Sequence, residues 1–454
     1  MNAEELKTKK ISILGAARSG IAAAKMLKQI GCEIFVSDNA KINLNIIDEL
    51  NNLKIPFEGE THSEKVFNCD IIVVSPSIPK NSTILNFAVS KNIKIVSEIE
   101  IASWVSKGKI IAVTGTNGKT TTTTLIGEIF KNFGFRTFVG GNIGNAFSNF
   151  ALDTYENDFI VLEVSSFQLE FIEYFHPSIA IVTNIAPDHL ERYDDMMDYV
   201  LTKFKILKNQ NSSDYFIFNH SDFYTQKTLE QKKISSKLIP FSSNEKLQFG
   251  LYQEGENIFY VDNNLTQKVC NLKDLKIFGK HNYENIMASI GCAIFSKIPI
   301  LSIEQSINEF RGVEHRIEFI REIEGVQFFN DSKSTNVDSL QKALESFDVD
   351  RKIILLLGGR EAKNGNNYSQ VSELVQKKVK KIFAFGESSE KILGNFSNKV
   401  STQIVNSMDE LVFHSKLESK SGDIILFSPA CKSFDWFNNY EERGKTFKQI
   451  VNQI

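Results

Sequence analysis

Short apolar runs alternate with amphipathic stretches along most of the chain. Between residues 11 and 97 the runs ISIL, EIFV, IIVV and IKIV are separated by polar segments and by stretches with apolar residues at helical spacing. Runs of aliphatic and β-branched residues are typical of strands that are buried on both faces, and their alternation with helices indicates a parallel sheet. The pattern therefore predicts an α/β fold.

The same alternation continues in two further blocks. One begins near Glu98 and contains KIIAV, DFIVLEV and IAIV; the other begins near Val313 and contains VQFF, KIILLL, KIFAF and DIILF. The 454 residues exceed the roughly 250 to 300 at which single cores stop growing, so the chain is expected to divide. We predict three domains: a Rossmann-like N-terminal domain (1–97), a central P-loop ATPase domain with a parallel sheet (98–313) and a Rossmann-like C-terminal domain (314–454). Between about 208 and 275 the chain is polar and the pattern predicts little.

A glycine-rich loop with a lysine and a threonine, TGTNGKT, joins an apolar run to a helical pattern in the central block. The usual P-loop, G-x-x-x-x-G-K-[ST], would need glycine at Val113, whereas the first glycine here is Gly115. Backbone N–H groups, the positive end of a helix and Lys119 together suit a phosphate, and the Thr120 hydroxyl suits Mg²⁺. The loop therefore predicts a nucleotide site. The alternative is a threonine-rich turn with a solvated lysine.

Polar residues interrupt or follow the apolar runs near this loop. Glu163 interrupts the run FIVLEV, where a carboxylate needs a partner, and His189 lies beyond the run IAIV. Ligands of open α/β sheets collect beyond the carboxyl ends of the strands, so we expect Lys119, Glu163 and His189 to converge on a metal-bound nucleotide. The alternatives are an edge position facing water for Glu163 and a helix-cap contact for His189.

Lys203 lies on the apolar face of a predicted helix from Met196 to Leu207. A lysine with apolar surroundings tends to lose its proton, and an uncharged amine acts as a nucleophile or takes up CO₂ to form an anionic carbamate. The open alternatives for Lys203 are such a functional amine and a side chain that reaches solvent.

The turn GAARSG near the N-terminus approximates G-x-G-x-x-G, with Ala17 in place of the middle glycine. Asp38 follows Gly15 at about the interval at which an acidic residue meets a ribose. The alternatives are a cofactor site and a plain strand-to-helix connection, and Ala17 would crowd the pyrophosphate of NAD.

Polar groups also mark the last part of the central block and the strand ends of the third. Asn282 and Asn285 lie three residues apart at the start of a predicted helix, where amides reach a nucleotide or cap the helix. The polar residues that follow the strands of the third block are Asp331, Lys333, Thr335, Asn336, Arg360, Lys363 and Ser433. This arrangement predicts a small polar substrate at the C-terminal strand ends.

Composition and charge restrict the classes of function. The chain is 42% hydrophobic and 24% charged, which is ordinary for a soluble enzyme, and its net charge of -3 offers no basic field to a nucleic acid. The first residues lack the apolar core of a signal peptide, and no run approaches the ~18 apolar residues of a membrane span. We therefore expect a cytoplasmic protein without a membrane partner. Five cysteines without a C-x-x-C pair argue against a disulfide framework and a zinc site.

A series of short motifs runs along the chain: GTNGKTT (115–121), GGNIG (140–144), LEVSSFQLE (162–170), TNIAPDHLERY (183–193), GKHNYEN (279–285), EHRIE (314–318), NDSKSTN (330–336) and SPACKSFDWF (428–437). Together these motifs resemble those of the Mur ligases. They cover almost the whole chain in order, and GTNGK[ST] is this family's own version of the loop. The likeness within the family is to members that add D-glutamate to UDP-N-acetylmuramoyl-L-alanine. These two small molecules are therefore the expected partners, together with ATP, of a monomeric protein.

The resemblance implies ATP-driven amide formation. A substrate carboxylate attacks the γ-phosphate of ATP, and the amine of D-glutamate then displaces phosphate from the resulting acyl phosphate. Because two anions must meet at phosphorus, cations have to offset their repulsion.

The resemblance also implies roles for individual residues. Those implied to bind ATP are Gly115, Thr116, Asn117, Gly118, Lys119, Thr120, Thr121, Asn282, Asn285, Arg316 and Asp331. Two Mg²⁺ ions are implied, one on Thr120 and one on Glu163, His189 and Lys203, and in this family the lysine is typically N6-carboxylated. Lys119, His189 and Lys203 are implied as catalytic. The implied contacts of the UDP-substrate are Arg18, Ser19, Asp38, Asn39, Asn142 and Ser165. Those of D-glutamate are Lys333, Thr335, Lys363, Ser433 and Tyr440.

Two positions depart from the family pattern. In GGREAKN, Lys363 lies one residue later than the usual lysine, and in SPSIP, Ser77 stands where glycine is common. Sibling ligases that add L-alanine, a dibasic amino acid or polyglutamate tend to carry a D-Y-A-H type sequence in place of NDSKSTN. A P-loop switch or transporter subunit leaves the polar strand ends of the third block unexplained, and an NAD oxidoreductase does not use the P-loop.

Overall fold

The alternating pattern folds into three separate β-sheets. The computed structural model describes residues 2–262, 265–347, 349–361 and 365–454. The chain divides into two compact units, Met1–Lys273 with Tyr283–Ile307 and Asp274–Asn282 with Asn308–Ile454. The first unit holds two of the sheets and the second unit holds the third, which confirms the predicted α/β class. The domain boundaries at 97/98 and 313/314 stay predictions.

The first sheet is parallel throughout, with the strand order β3-β2-β1-β4-β5. Its strands are β1 Lys10–Leu14, β2 Glu33–Ser37, β3 Phe57–Glu58, β4 Ile71–Val74 and β5 Lys94–Ser97. Its helices are α1 Ala3–Lys7, α2 Arg18–Ile30, α3 Leu44–Asn52, α4 Thr83–Ser90 and α5 Glu98–Ser103. The chain leaves β1 toward β2 on one side and returns to β4 on the other. The carboxyl ends of β1 and β4 therefore meet at a switch point, where open sheets bind ligands.

The glycines of GAARSG are required by packing at this switch point. Gly15 has a φ of 100°, and a Cβ built on it would lie 2.3 Å from Oγ of Ser75. A Cβ on Gly20 would lie 1.9 Å from the carbonyl oxygen of Gly15. Because α2 begins directly after Ala17, the turn is at the least a tight strand-to-helix connection.

The second sheet has the strand order β14-β13-β12-β11-β10-β9-β6-β8-β7 over the described residues, parallel from β7 to β12 and antiparallel beyond. Its strands are β6 Lys109–Thr114, β7 Thr137–Gly141, β8 Phe159–Glu163, β9 Ile179–Val182, β10 Tyr215–Asn219, β11 Lys237–Ser242, β12 Gly250–Glu254, β13 Asn257–Asp262 and β14 Leu265–Asn271. Its helices are α6 Lys119–Asn132, α7 Ser166–Leu169, α8 Met196–Phe204, α9 Phe223–Gln231, α10 Lys280–Phe295 and α11 Ile300–Glu309. Strands β10 to β14 occupy the region for which the pattern predicted little. The helix predicted from Met196 ends at Phe204 and continues as a 3-10 turn.

The third sheet has the order β15-β16-β20-β17-β18-β19 and is parallel except for the β15–β16 pair at its edge. Its strands are β15 Glu318–Ile323, β16 Val326–Asn330, β17 Ile353–Gly358, β18 Val379–Phe385, β19 Ser401–Ile404 and β20 Ile424–Phe427. Its helices are α12 Val337–Glu345, α13 Ser372–Lys378, α14 Ser389–Phe396, α15 Met408–Leu417 and α16 Tyr440–Gln453. The strands β17 and β20 are buried along their whole length, as expected for strands covered on both faces.

We expect Gly20→Ala to destabilise the protein by about 1–3 kcal/mol, because the added methyl meets a backbone oxygen that cannot rotate away. Gly394→Ala in α14 is the matched control, since a Cβ there has open space and alanine favours a helix. The melting temperatures of the two variants, measured by calorimetry, show whether the added methyl group destabilises the protein at Gly20 and not at Gly394. A Gly20→Ala protein that melts higher than the wild type would contradict the packing role.

Candidate active site

The glycine-rich loop predicted to bind phosphate lies between β6 and α6, in the middle of the second sheet. Gly115 has a φ of 144° and Gly118 a φ of 82°, in the left-handed region that glycine tolerates. A Cβ on Gly115 would lie 2.0 Å from Oγ1 of Thr183, and one on Gly118 would lie 2.1 Å from Oδ1 of Asn285. Because α6 begins at Lys119, its first-turn N–H groups and its positive end lie at this loop.

Thr183 and Asn184, which follow β9, hold the backbone of the loop. Oγ1 of Thr183 and Nδ2 of Asn184 donate to the carbonyl of Asn117 at 2.6 and 3.1 Å. In return, the amides of Thr116 and Asn117 donate to the carbonyl and side-chain oxygens of Asn184 at 2.8 and 3.0 Å. No role was predicted for these two residues. The signal that could have found them is a polar pair directly after a buried strand that neighbours β6.

The amino groups of Lys119 and Lys203 both donate to the carbonyl oxygen of Gly115, at 3.0 and 2.8 Å. Lys203 is 2% exposed, and its Nζ lies 4.5 Å from the centre of the Tyr199 ring. Burial, reinforced by the positive charge of Lys119, lowers the pKa of Lys203 to about 7 against the opposing charge of Asp188. A side chain that reaches solvent is therefore excluded. Lys203 is a buried amine that is partly uncharged near neutral pH.

Glu163 is buried at the end of β8, between β6 and β7, so it does not face water at a sheet edge. Its Oε2 accepts from Oγ1 of Thr120 at 2.7 Å, and its Oε1 accepts from Nδ2 of Asn142 at 2.8 Å. The amide of Asn142 also donates to the carbonyl of Glu163 at 2.8 Å, and a Cβ on Gly141 would lie 2.4 Å from that oxygen. The predicted residues Thr120, Glu163 and Asn142 are thus brought together by hydrogen bonds.

His189 lies in an exposed turn beyond β9. It has a φ of 54° and precedes the 3-10 turn Leu190–Arg192 without a capping hydrogen bond from its side chain. Its Nε2 lies 3.6 Å from a carboxylate oxygen of Asp188, and its ring centre lies 5.0 Å from that of Phe167. Among the described residues, no three His, Cys, Asp or Glu side chains gather to hold a metal ion. The convergence of His189 with Glu163 stays a prediction.

The two asparagines of α10 have different contacts. The Oδ1 atom of Asn285, which lies beside the Cβ position of Gly118, accepts from Oγ1 of Thr122 at 3.4 Å. The Nδ2 atom of Asn282 donates to the carbonyl of Phe278 at 2.8 Å, a contact at the start of its own helix. Asn285 is therefore a neighbour of the loop, and Asn282 makes a contact of the capping kind. Their roles toward adenosine stay predictions.

The residues implied for the UDP-substrate make contacts within the first unit. Arg18 donates to the carbonyls of Asn142 and Gly144 at 2.8 and 3.0 Å, and Asp38 accepts from the amide of Ala16 at 2.7 Å. Arg18 thus braces the GGNIG segment and Asp38 braces the GAARSG turn. The others are Ser19, half-buried in the first turn of α2, Asn39, exposed after β2, and Ser165, whose hydroxyl caps α7.

Asp331 is a buried carboxyl group of the second unit. It accepts from the Ser428 hydroxyl at 2.7 Å and from the amide of Ile317 at 3.2 Å. Burial raises its pKa to about 7 against those hydrogen bonds and the charges of Arg316 and Arg443. Asp331 is therefore protonated in part of the population near neutral pH, whereas Arg316 is exposed.

Arg443 of α16, for which no role was predicted, is fully buried in the second unit. Its guanidinium group donates to the hydroxyl and carbonyl of Ser332 at 3.0 and 2.7 Å and to the carbonyl of Cys431 at 3.0 Å. It thereby ties NDSKSTN to SPACKS, two segments implied to bind D-glutamate.

Of the residues implied for that substrate, Lys333 is exposed, Thr335 and Tyr440 are half-buried and Ser433 is buried; Lys363 lies outside the described residues.

Comparison with known proteins gives consistent matches along the chain. Models of the MurD N-terminal domain, the Mur ligase middle domain and the Mur ligase glutamate ligase domain match residues 10–84, 113–293 and 315–431. The UDP-N-acetylmuramoylalanine–D-glutamate ligase of Christiangramia forsetii is 42% identical over 98% of this chain and 100% of its own. That of Chloroherpeton thalassium is 39% identical over 100% of both. The solved structure of the UDP-N-acetylmuramate-alanine ligase of Thermotoga maritima, 19% identical, covers 98% of this chain and 99% of its own with a TM-score of 0.56, which shows a shared fold.

Within the described part of the chain, every helix is too short or too polar to cross a membrane.

The lowered pKa of Lys203 predicts a pH dependence of folding stability. Between pH 7 and 10.5 the unfolded lysine keeps its proton while the folded one has lost it. The unfolded state therefore binds more protons, and the free energy of unfolding rises with pH across this window. We expect Lys203→Met to lose this rise. Urea unfolding at pH 7.5 and 9.5 in CO₂-free buffer measures it, and an equal pH response in both proteins would contradict a buried, uncharged amine.

Proposed function

Because this chain belongs to the Mur ligase family, we propose that it is an ATP-dependent ligase that joins D-glutamate to UDP-N-acetylmuramoyl-L-alanine, a step of peptidoglycan precursor synthesis. The observation that carries this proposal is the 42% and 39% identity, over essentially full lengths, to relatives of that name. We propose the cytoplasm as the site of the reaction, because ATP and a nucleotide-linked sugar are its proposed substrates.

The chemistry requires positive charge near the γ-phosphate. The substrate carboxylate attacks phosphorus, the bond to ADP breaks, and an acyl phosphate forms. The uncharged amine of D-glutamate then attacks the acyl carbon, its nitrogen loses one proton to solvent, and phosphate leaves as the amide bond forms. Lys119, at the start of α6, offsets the charge of the phosphates together with the N–H groups of that helix end.

The residues around Thr120 suit a magnesium ion. The hydroxyl of Thr120 and the carboxylate of Glu163 are buried oxygen donors within hydrogen-bond distance of each other, and Mg²⁺ prefers oxygen ligands. We propose that Thr120 holds one Mg²⁺ with ATP and that Glu163, His189 and Lys203 hold a second. The ions supply charge stabilisation of the transferring phosphoryl group.

Lys203 is proposed to act as a carbamate. The lone pair of its uncharged Nζ forms a bond to the carbon of CO₂, one proton is released, and the amine becomes an anion with two oxygen donors. Its lowered pKa and its place beside Lys119 support this modification, because the anion removes a repulsion between two ammonium groups.

The remaining substrate contacts complete the proposal. Arg18, Ser19, Asp38, Asn39, Asn142 and Ser165 are proposed for the UDP-substrate, and Lys333, Thr335, Lys363, Ser433 and Tyr440 for D-glutamate. The exposed ammonium of Lys333 and the hydroxyls of Thr335 and Ser433 suit a dicarboxylate. Arg316 and Asp331 are proposed for ATP with Asn282 and Asn285.

Phosphate release tests the function. With ATP, Mg²⁺ and UDP-N-acetylmuramoyl-L-alanine present, we expect D-glutamate to stimulate release, while L-glutamate, L-alanine and lysine do not. The reason is that the cations and hydroxyls proposed for D-glutamate match two carboxylates in one configuration. Stimulation by another amino acid would assign the chain to a sibling reaction, and release without any amino acid would identify a nucleotide-hydrolysing switch.

Labelling with ¹³C-bicarbonate tests the carbamate. We expect an additional carbonyl resonance in the NMR spectrum of the wild type that is missing from Lys203→Met and present in Lys205→Met, the matched control on the same turn of chain. Activity of Lys203→Ala should recover in part when short carboxylic acids are added, because they supply the lost anion. Unaltered turnover of Lys203→Ala would remove Lys203 from the mechanism.

A further inference from the structure

The guanidinium group of Arg192 joins three segments of the first unit. Its Nε and Nη2 donate to the two carboxylate oxygens of Glu170 at 3.0 and 2.7 Å. Its Nη1 donates to the carbonyl of Pro76 at 2.6 Å, and Nη2 also donates to the carbonyl of Ile78 at 2.9 Å. The side chains of Arg192 and Glu170 are 9% and 2% exposed. A buried, bidentate pair of this kind holds its members in one geometry, which a lysine does not reproduce.

The hydrogen bonds of Arg192 to Glu170, Pro76 and Ile78, here called the clasp, fix at one end the turn that carries His189. Arg192 ends the 3-10 turn that His189 begins, and its guanidinium carbon lies 4.1 Å from the centre of the Phe167 ring. The same ring lies 5.0 Å from the ring of His189. Because a non-glycine residue with positive φ is strained, the backbone of His189 keeps its conformation only if its surroundings hold it. The clasp and the shared aromatic ring do this.

The other end of the clasp is the SPSIP loop (Ser75–Pro79), which follows β4. Strands β1 and β4 pair up to Leu14 and Val74, so this loop borders the switch point of the first sheet. There the UDP-substrate is proposed to bind, since open sheets bind ligands at that position. Lys80, directly after the loop, pairs with Asp198 at 2.6 Å in the first turn of α8, the helix of Lys203. The loop and the residue after it are thus tied to the turn that carries His189 and to the helix that carries Lys203, two of the proposed metal ligands.

We propose that Arg192 is a positioning residue that couples occupation of the switch point of the first sheet to the conformation of the His189 turn. The proposal rests on the function proposed above and adds to it a residue that touches neither substrate nor metal. A substrate that orders the SPSIP loop fixes the carbonyls of Pro76 and Ile78. These carbonyls hold the guanidinium group of Arg192, and the turn from His189 to Arg192 is held with it.

Arg192→Lys keeps the positive charge but removes the planar guanidinium group that binds both carboxylate oxygens. Glu170→Gln removes the ion pair while the side chain keeps nearly the same shape. We expect about a tenfold to a hundredfold fall in kcat and a raised Mg²⁺ concentration for half-maximal rate in both variants, with KM for D-glutamate unchanged. Arg136→Lys is the matched control, because Arg136 also pairs with a carboxylate, Asp158 at 3.1 Å, but at the start of β7 away from the loop ends.

Hydrogen exchange gives a readout that needs no turnover. We expect UDP-N-acetylmuramoyl-L-alanine to slow exchange in residues 186–193 of the wild type and of Arg136→Lys, and to lose this effect in Arg192→Lys. Lower melting temperature with unchanged kcat, Mg²⁺ dependence and exchange response would reduce Arg192 to a structural role and overturn the proposal. So would a wild type whose turn does not respond to the substrate. A wild type that shows the exchange response but no D-glutamate-stimulated phosphate release rejects the proposed function and leaves the coupling intact.

Discussion

The carbonyl oxygen of Gly115 accepts hydrogen bonds from two lysines, and this crowding of positive charge is the constraint on which the site depends. The left-handed backbone at Gly115 and Gly118 turns the chain so that Lys119 begins α6, while α8 brings Lys203 to the same oxygen from within the core. Burial first, and then the repulsion between two ammonium groups at one oxygen, lower the pKa of Lys203 to about 7, so it gives up its proton near neutral pH. The protein thereby holds two lysine side chains at one oxygen, and the buried one is partly uncharged near neutral pH.

Much of this arrangement could be predicted because it follows from patterns among residues that are close together in the sequence. The loop TGTNGKT is contiguous, and helical periodicity placed Lys203 on an apolar face. A carboxylate inside an apolar strand had to find a partner, and Glu163 finds Thr120 and Asn142. Arg192 and Arg443 could not be found in this way. Each of them donates to backbone carbonyls far from it along the chain, and no residue type marks a carbonyl as an acceptor. Strands β10 to β14 were all missed, and of these the antiparallel edge from β12 to β14 shows no continuous apolar run because β14 is partly exposed.

Several side chains that are proposed to contact the UDP-substrate also hold the fold. Arg18 braces the GGNIG segment, Asp38 braces the GAARSG turn and Ser165 caps a helix. A polar group near a strand end must satisfy its hydrogen bonds with or without a substrate, and the backbone of the neighbouring turns supplies the partners. For such residues, loss of substrate binding and loss of local structure accompany each other on mutation. The two effects can be separated only by substituting residues whose side chains make no such contact within the protein.

The glycines of the TGTNGKT loop and of the GGNIG segment have a consequence for resistance to inhibitors. Gly115, Gly118 and Gly141 all have left-handed backbones and close neighbours, so none of them accommodates a larger residue. A compound that gains its affinity from the main chain at these positions faces a surface that single substitutions of these glycines can alter only by straining the backbone. Escape would have to come from side chains at the periphery, where a compound can be designed to make few contacts.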